Sequence, residues 1–232
     1  YPDFRGLNLT HEVLEGLMKH ETIYDNVDKK FSVHPSLEAQ IVDMADEIAY
    51  TCHDIDDGLR SEIISINQLQ KIPLCIEAIE KVKKDYGTLP KNLKIHNSRL
   101  VSAVMTVIIN DLLKQSEKNL KRLKIQTLEG VYKSKIKIID FSKDIKEKLP
   151  VLRKFLYDKF YIHPKVLKLS QNGQEIIKTL FEYFEININK LPIDFRKEIT
   201  NEQSKAIAIK DYIAGMTDDF ANELVININS EA

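Results

Sequence analysis

Two cysteines in 232 residues, Cys52 and Cys75, show neither CxxC nor Cys/His ligand spacing. This excludes a disulfide scaffold and a zinc ribbon, and both read as small core residues of a chain kept in a reducing compartment. Seven glycines and seven prolines are too few for a turn-rich β fold and favour long helices. No apolar run reaches the roughly 18 residues of a membrane span and no signal peptide is visible, so a cytoplasmic protein with no membrane partner is expected. The formal charge of −1 gives no long-range field toward nucleic acid or an anionic membrane. A Gly-rich phosphate loop, HExxH, GxSxG and a Ser/His/Asp arrangement are all missing, which removes the commonest kinase and hydrolase signatures. The first residue is Tyr1 rather than Met, from which we expect upstream chain to have been removed.

What is present is helical periodicity. Residues 36 to 60, SLEAQIVDMADEIAYTCHDIDDGLR, carry an apolar series (Leu37, Ile41, Ala45, Ile48, Cys52, Ile55, Leu59) at steps of three and four. Ser36, after Pro35, is the expected N-cap. A second face carries Asp43, Asp46, Glu47, Tyr50, Asp54 and Asp57, with Asp46, Tyr50 and Asp54 stacked at steps of four. Two carboxylates and a phenol on one stripe could ligate a metal and hold a sugar hydroxyl. From spacing alone, however, a solvated acidic face is favoured, because most charged helix stripes simply face water.

Around this element the chain reads as further helices. Thr10 caps a short one with Val13, Leu14, Leu17 and Met18 inward and His20 at its end, where a basic group complements the helix dipole. A polar connection follows over 22–35. SEIISINQLQ extends or closely follows the central helix, and another helix covers 72–85 before the breakers Gly87 and Pro90. The stretch from Ser98 to Leu123 should be a major helix, with Leu100, Val104, Val107, Ile108, Leu112 and Leu120 toward the core. KSKIKIIDF at 133–141 is β-branched and alternating, hence a short strand or extended segment. Ser142 caps a helix through Lys148 that Pro150 interrupts, and 151–161 is helical with Phe155, Leu156 and Phe160 buried. His163-Pro164 marks a turn before a helix over 171–184. The last helix, 201–224, contains Gly215, whose cost of about 1 kcal/mol in a helix interior suggests close approach of another helix or ligand. The tail VININSEA is expected to fray. The lysine-rich segment 114–148 lacks interleaved aromatics and reads as a solvated face or a phosphate contact at a subunit interface.

FRGLNLTHEVLEGLMKH, SLEAQIVDMADEIAYTCHDIDDGL, HPKVLKL and DYIAGMTDDFA occur in that order across nearly the whole chain. Together they resemble the bacterial deoxyguanosine triphosphate triphosphohydrolase-like proteins of the HD-domain superfamily. The resemblance implies an all-α, multi-helix HD-domain-like bundle, with at most a short β element near 133–141. Residues 1–70 would be the C-terminal part of the catalytic HD domain, and 71–232 a helical region completing the pocket. In that family a first His, a His-Asp doublet and a later Asp hold a metal, and the ADEIAY-type motif assigns the later Asp to Asp46. The implied cofactor is a divalent cation such as Mg, Mn or another transition metal. The implied reaction takes a deoxynucleoside triphosphate to the deoxynucleoside and tripolyphosphate.

Tyr50 matches the tyrosine against the deoxyribose and phosphates, and Asp54 the acid near the 3′-hydroxyl, where a buried acceptor discriminates strongly. Tyr212 falls where the family places a second pocket aromatic, although an ordinary helix-packing tyrosine reads equally well. His53-Asp54 follows the fourth-ligand Asp instead of preceding it and is not the metal doublet. The first His and the true doublet have no match in 1–232, so this chain alone is expected to be inactive. Self-association and association with the missing N-terminal segment are the expected partners. A noncatalytic module binding nucleotide or nucleic acid is the alternative. A purely structural reading requires Asp46 and Tyr50 to be solvent-exposed.

Overall fold

The computed structural model describes residues 6–18, 34–87 and 92–231, and among them every regular element is a helix. The all-α expectation therefore holds. By packing, the chain forms two compact units, Tyr1–Phe160 and Tyr161–Ala232. The division expected at residue 70 is one of function and not of packing.

In the first unit, α1 (His11–Met18), α2 (Leu37–Arg60), α3 (Ile66–Leu69), α4 (Pro73–Tyr86), α5 (Leu93–Leu123), α6 (Leu128–Tyr132) and α7 (Lys143–Leu156) follow in order. Helix α2 begins where Ser36 Oγ accepts the Ala39 N–H at 3.3 Å, as its sequence position predicts. Its C-terminal half buries Ile48, Cys52, Ile55 and Leu59 and packs on α5, which buries Leu100, Val104 and Ile108; α4, with Leu74 and Cys75 fully buried, packs on α5 in turn. Leu152 and Leu156 of α7 complete this core. Burial pushes the Cys52 and Cys75 thiols up to about 12, so both are inert packing groups.

The N-terminal half of α2 departs from the apolar series. Ile41 is 49% exposed and Ala45 is exposed, whereas Gln40, Asp43 and Met44 are buried. The reason lies 98 residues downstream. The segment after α6 is no strand. It is an irregular stretch whose backbone groups are satisfied by side chains of α2 and α5. Gln40 Nε2 donates to the Pro35 carbonyl at 2.9 Å, and its Oε1 accepts the N–H groups of Ile138 and Ile139 at 3.0 and 3.1 Å. Asn119 donates to the Ile138 carbonyl at 2.9 Å, and the Ser142 N–H reaches Asp111 Oδ2 at 2.8 Å. Buried amides need partners. Supplying them here draws a polar residue into the core and seats Ile138, Ile139 and Phe141 beside it.

Other expectations also change. The apolar residues of α1 are exposed, from 47% at Val13 and Leu14 to 64% at Leu17. This helix meets α2 through Gly16, where an added Cβ would lie 3.0 Å from that of Ala39. His20, Pro90 and most of the 22–35 connection lie outside the described residues. Pro150 does not end its helix, because α7 continues to Leu156 with Leu149, Leu152 and Leu156 all buried. Tertiary burial outweighs the lost i→i−4 bond. A π-turn, Tyr157–Tyr161, follows α7, and Phe155 and Phe160 are half-buried. Gly58 is approached more closely still: an added Cβ would sit 2.7 Å from Ile64 Cδ1 and Cγ1.

The second unit contains α8 (Pro164–Ile186), α9 (Ile193–Arg196), α10 (Glu202–Ala214) and α11 (Asp218–Glu231). Helix α8 starts seven residues earlier than expected, because Pro164 occupies its first position, where a missing N–H costs nothing. The expected 201–224 helix is two helices. Gly215 caps the end of α10 and has only its own helix's carbonyls near its missing Cβ, so no other helix approaches it. The VININSEA tail is helical as far as Glu231. Leu180, Phe184, Leu191 and Ile209 form the core of this unit.

Candidate functional site

Helix geometry puts Asp46, Tyr50 and Asp54 on one side of α2, successive side chains one turn apart. Asp46 is exposed and has no ion-pair partner among the described residues; Tyr50 is 43% exposed and Asp54 half-buried. The exposure that a purely structural reading requires is therefore met. Asp43 is buried, its Oδ2 3.8 Å from Lys137 Nζ. Asp56 pairs with Arg60 at 2.7 Å, and His53 is exposed.

Two long-range ion pairs are invisible to spacing. Arg153 of α7 forms an ion pair with Glu47, both about one-third exposed, fixing α2 beside α7 next to Asp46 and Tyr50. On α7, Lys148 bridges Asp144 at 2.6 Å and Glu77 of α4 at 2.9 Å, and these hydrogen bonds hold its ammonium above the ordinary lysine value. Partners separated by some 70 to 110 residues leave no local signal. The stripe thus sets the exposed Asp46 carboxylate, the Tyr50 phenol and the half-buried Asp54 carboxylate one turn apart on one helix. As a metal site it is incomplete: Asp46 suits one ligand position, and no group of three His, Cys, Asp or Glu able to hold an ion occurs among the described residues.

Tyr212 belongs to the second unit. Its ring packs edge-on to Phe184 and tilted against Phe195, each at 5.3 Å between centroids, beside the core of Leu180 and Ile209. These contacts account for the residue as a packing aromatic. Within the same unit a cleft of about 250 Å³ is lined by Asp194, Phe195, Glu198, Ser204 and Asp211, an acidic feature that sequence reading missed. Lys197 and Lys210 already pair with Asp194 and Asp211 at its rim.

Residues 139–226 of this all-α chain match the phosphohydrolase-associated domain. More particularly, it is similar to the deoxyguanosinetriphosphate triphosphohydrolase-like proteins. The protein of that name from Leptospira interrogans is 36% identical over 231 residues, 97% of this chain and 60% of the relative. The Geobacter metallireducens protein is 37% identical over 227 residues, covering 95% of this chain and 58% of the relative. The Rickettsia bellii protein is 32% identical over 235 residues, covering 95% and 61%. The chain spans about three fifths of the length of the curated relatives it matches.

Proposed function

We propose that this chain is part of a metal-dependent deoxynucleoside triphosphate triphosphohydrolase, which takes a dNTP and water to the deoxynucleoside and tripolyphosphate. One observation carries the reading: homology to proteins of that name along 97% of the chain, through the helix that bears Asp46, Tyr50 and Asp54. In this reading residues 1–70 belong to the catalytic HD domain and 71–232 to the helical region that follows it. Asp46 supplies one carboxylate ligand to a divalent ion. Tyr50 packs on the sugar, and Asp54 accepts a hydrogen bond from the 3′-hydroxyl. No catalytic step is assigned to the metal, because one ligand is not a site. Tyr212 is the weakest member, its contacts with Phe184 and Phe195 being explanation enough. Self-association belongs to the same reading.

The test compares residues 1–232 with a longer polypeptide carrying the family's His and His-Asp motifs upstream, each assayed for tripolyphosphate from dGTP with Mn or Mg. The short chain is expected to be inactive and the long one active. Asp46→Ala should abolish turnover in the long form and leave its thermal midpoint unchanged, since an exposed substitution costs at most about 0.5 kcal/mol. Full turnover in that variant would make the acidic face of α2 a solvated surface.

A further inference from the structure

The first four turns of α8 are uncovered. None of the residues from Pro164 to Thr179 is buried, whereas Leu180 and Phe184, further along the same helix, lie in the core of the second unit. The apolar side of the helix nevertheless runs its whole length. Val166, Leu169, Gly173 and Ile177 follow one another at steps of three and four, and the same steps lead on to Leu180 and Phe184. Leu169 is 71% exposed and Ile177 56%. Between them stands Gly173, where an added Cβ would meet nothing within 4 Å. A glycine inside an exposed helix is destabilising relative to alanine, and among the described residues no contact makes use of it. Its missing side chain leaves a notch that another helix can enter.

We propose that this face of α8 is where a second copy of the chain docks, the two α8 helices lying antiparallel about a two-fold axis level with Gln171. The stripe is then complementary to itself. Leu169 of each copy comes level with Gly173 of the other and fills the notch, Val166 comes level with Ile176, and symmetry makes each contact twice. Leu169 to Gln174, a run without charge, forms the centre of the contact. At its ends Lys168 of one copy falls within one residue of level with Glu175 of the other, on the same side of the stripe, while Lys165 and Lys178 come level on opposite sides. The uncovered stretch is about 24 Å long and about 10 Å wide. That is well short of the roughly 800 Å² that each partner gives to a stable complex, so the pairing depends on concentration. The proposal does not rest on the hydrolase reading: it is tested by mass, without substrate, and its failure leaves that reading standing.

The experiment is sedimentation velocity of the full chain at loadings from about 1 to about 200 µM, a range over which mass action populates a weak dimer. The average mass is expected to rise from that of one chain toward that of two. Leu169→Glu, which sets a charge against Gly173 of the other copy, should weaken association by about tenfold or more with the far-ultraviolet circular dichroism unchanged. Gly173→Ala should act in two opposed ways. A Cβ that meets nothing within the chain should raise the thermal midpoint of a dilute sample, and by filling the notch it should weaken association. A glycine of purely local significance would move only the first. Leu113→Glu, on an exposed residue of α5, should leave association as it is. A chain that stays monomeric at the highest loading overturns the proposal and leaves the stripe to the upstream polypeptide. Association that survives both Leu169→Glu and Gly173→Ala, or that Leu113→Glu weakens equally, also overturns it.

Discussion

Gln40 is the polar residue on which the first unit's packing most depends, and Gln40→Met is the substitution that exposes this. The side chain is fully buried and serves three backbone groups. Methionine keeps the length and most of the volume but accepts nothing from the N–H groups of Ile138 and Ile139. Two buried donors left without partners cost about 1–3 kcal/mol each, so a loss of about 2–6 kcal/mol is expected. That is a large share of the roughly 5–15 kcal/mol that holds a domain together. In urea, with a slope of about 2 kcal/mol per M, the unfolding midpoint should fall by about 1–3 M. The two units have separate cores, so the transition is followed by a probe in the first unit, such as labelling of Cys52 and Cys75. Gln126→Met, on an exposed residue, serves as control and should not shift it. A midpoint for Gln40→Met within about 0.3 M of the parent, well under the predicted shift, would refute the claim that these amides depend on Gln40.

Gly58→Ala should cost about 1–3 kcal/mol through overpacking against Ile64, and adding Ile64→Ala to the same chain should cost less than the two single changes summed, by double-mutant unfolding. Lys148, its value raised by Asp144 and Glu77, contributes stability that is fully present at neutral pH and lost as pH rises past the ordinary lysine value of 10.5; Lys148→Met should flatten that alkaline loss in denaturant titrations. The Cys52 and Cys75 thiols, raised to about 12 by burial, should resist a thiol reagent at pH about 8 in the folded chain and both react once it is unfolded.

The sequence by itself determined the all-α class, the extent of α2, its Ser36 cap, and the stripe of Asp46, Tyr50 and Asp54. All of these follow from the local period of 3.6 residues and from cap chemistry that acts within one turn. Its ordered motifs also pointed to the deoxyguanosinetriphosphate triphosphohydrolase-like proteins to which the chain is similar. The tertiary structure decided which face of α2 is inside. Local pattern favoured Ile41 and Ala45, but the amides of Ile138 and Ile139 need an acceptor, and burying Gln40 to provide one brings Asp43 and Met44 inward with it. The same limit explains Pro150 and Gly215. Periodicity records what a residue prefers and nothing about what packs on it, so a proline carried through by three buried leucines and a glycine that merely caps a helix were both misjudged. The pairing of Glu47 with Arg153, 106 residues apart, belongs to the same class. Only the folded chain brings those charges together, and it holds them beside the one helix whose chemistry the sequence had already singled out.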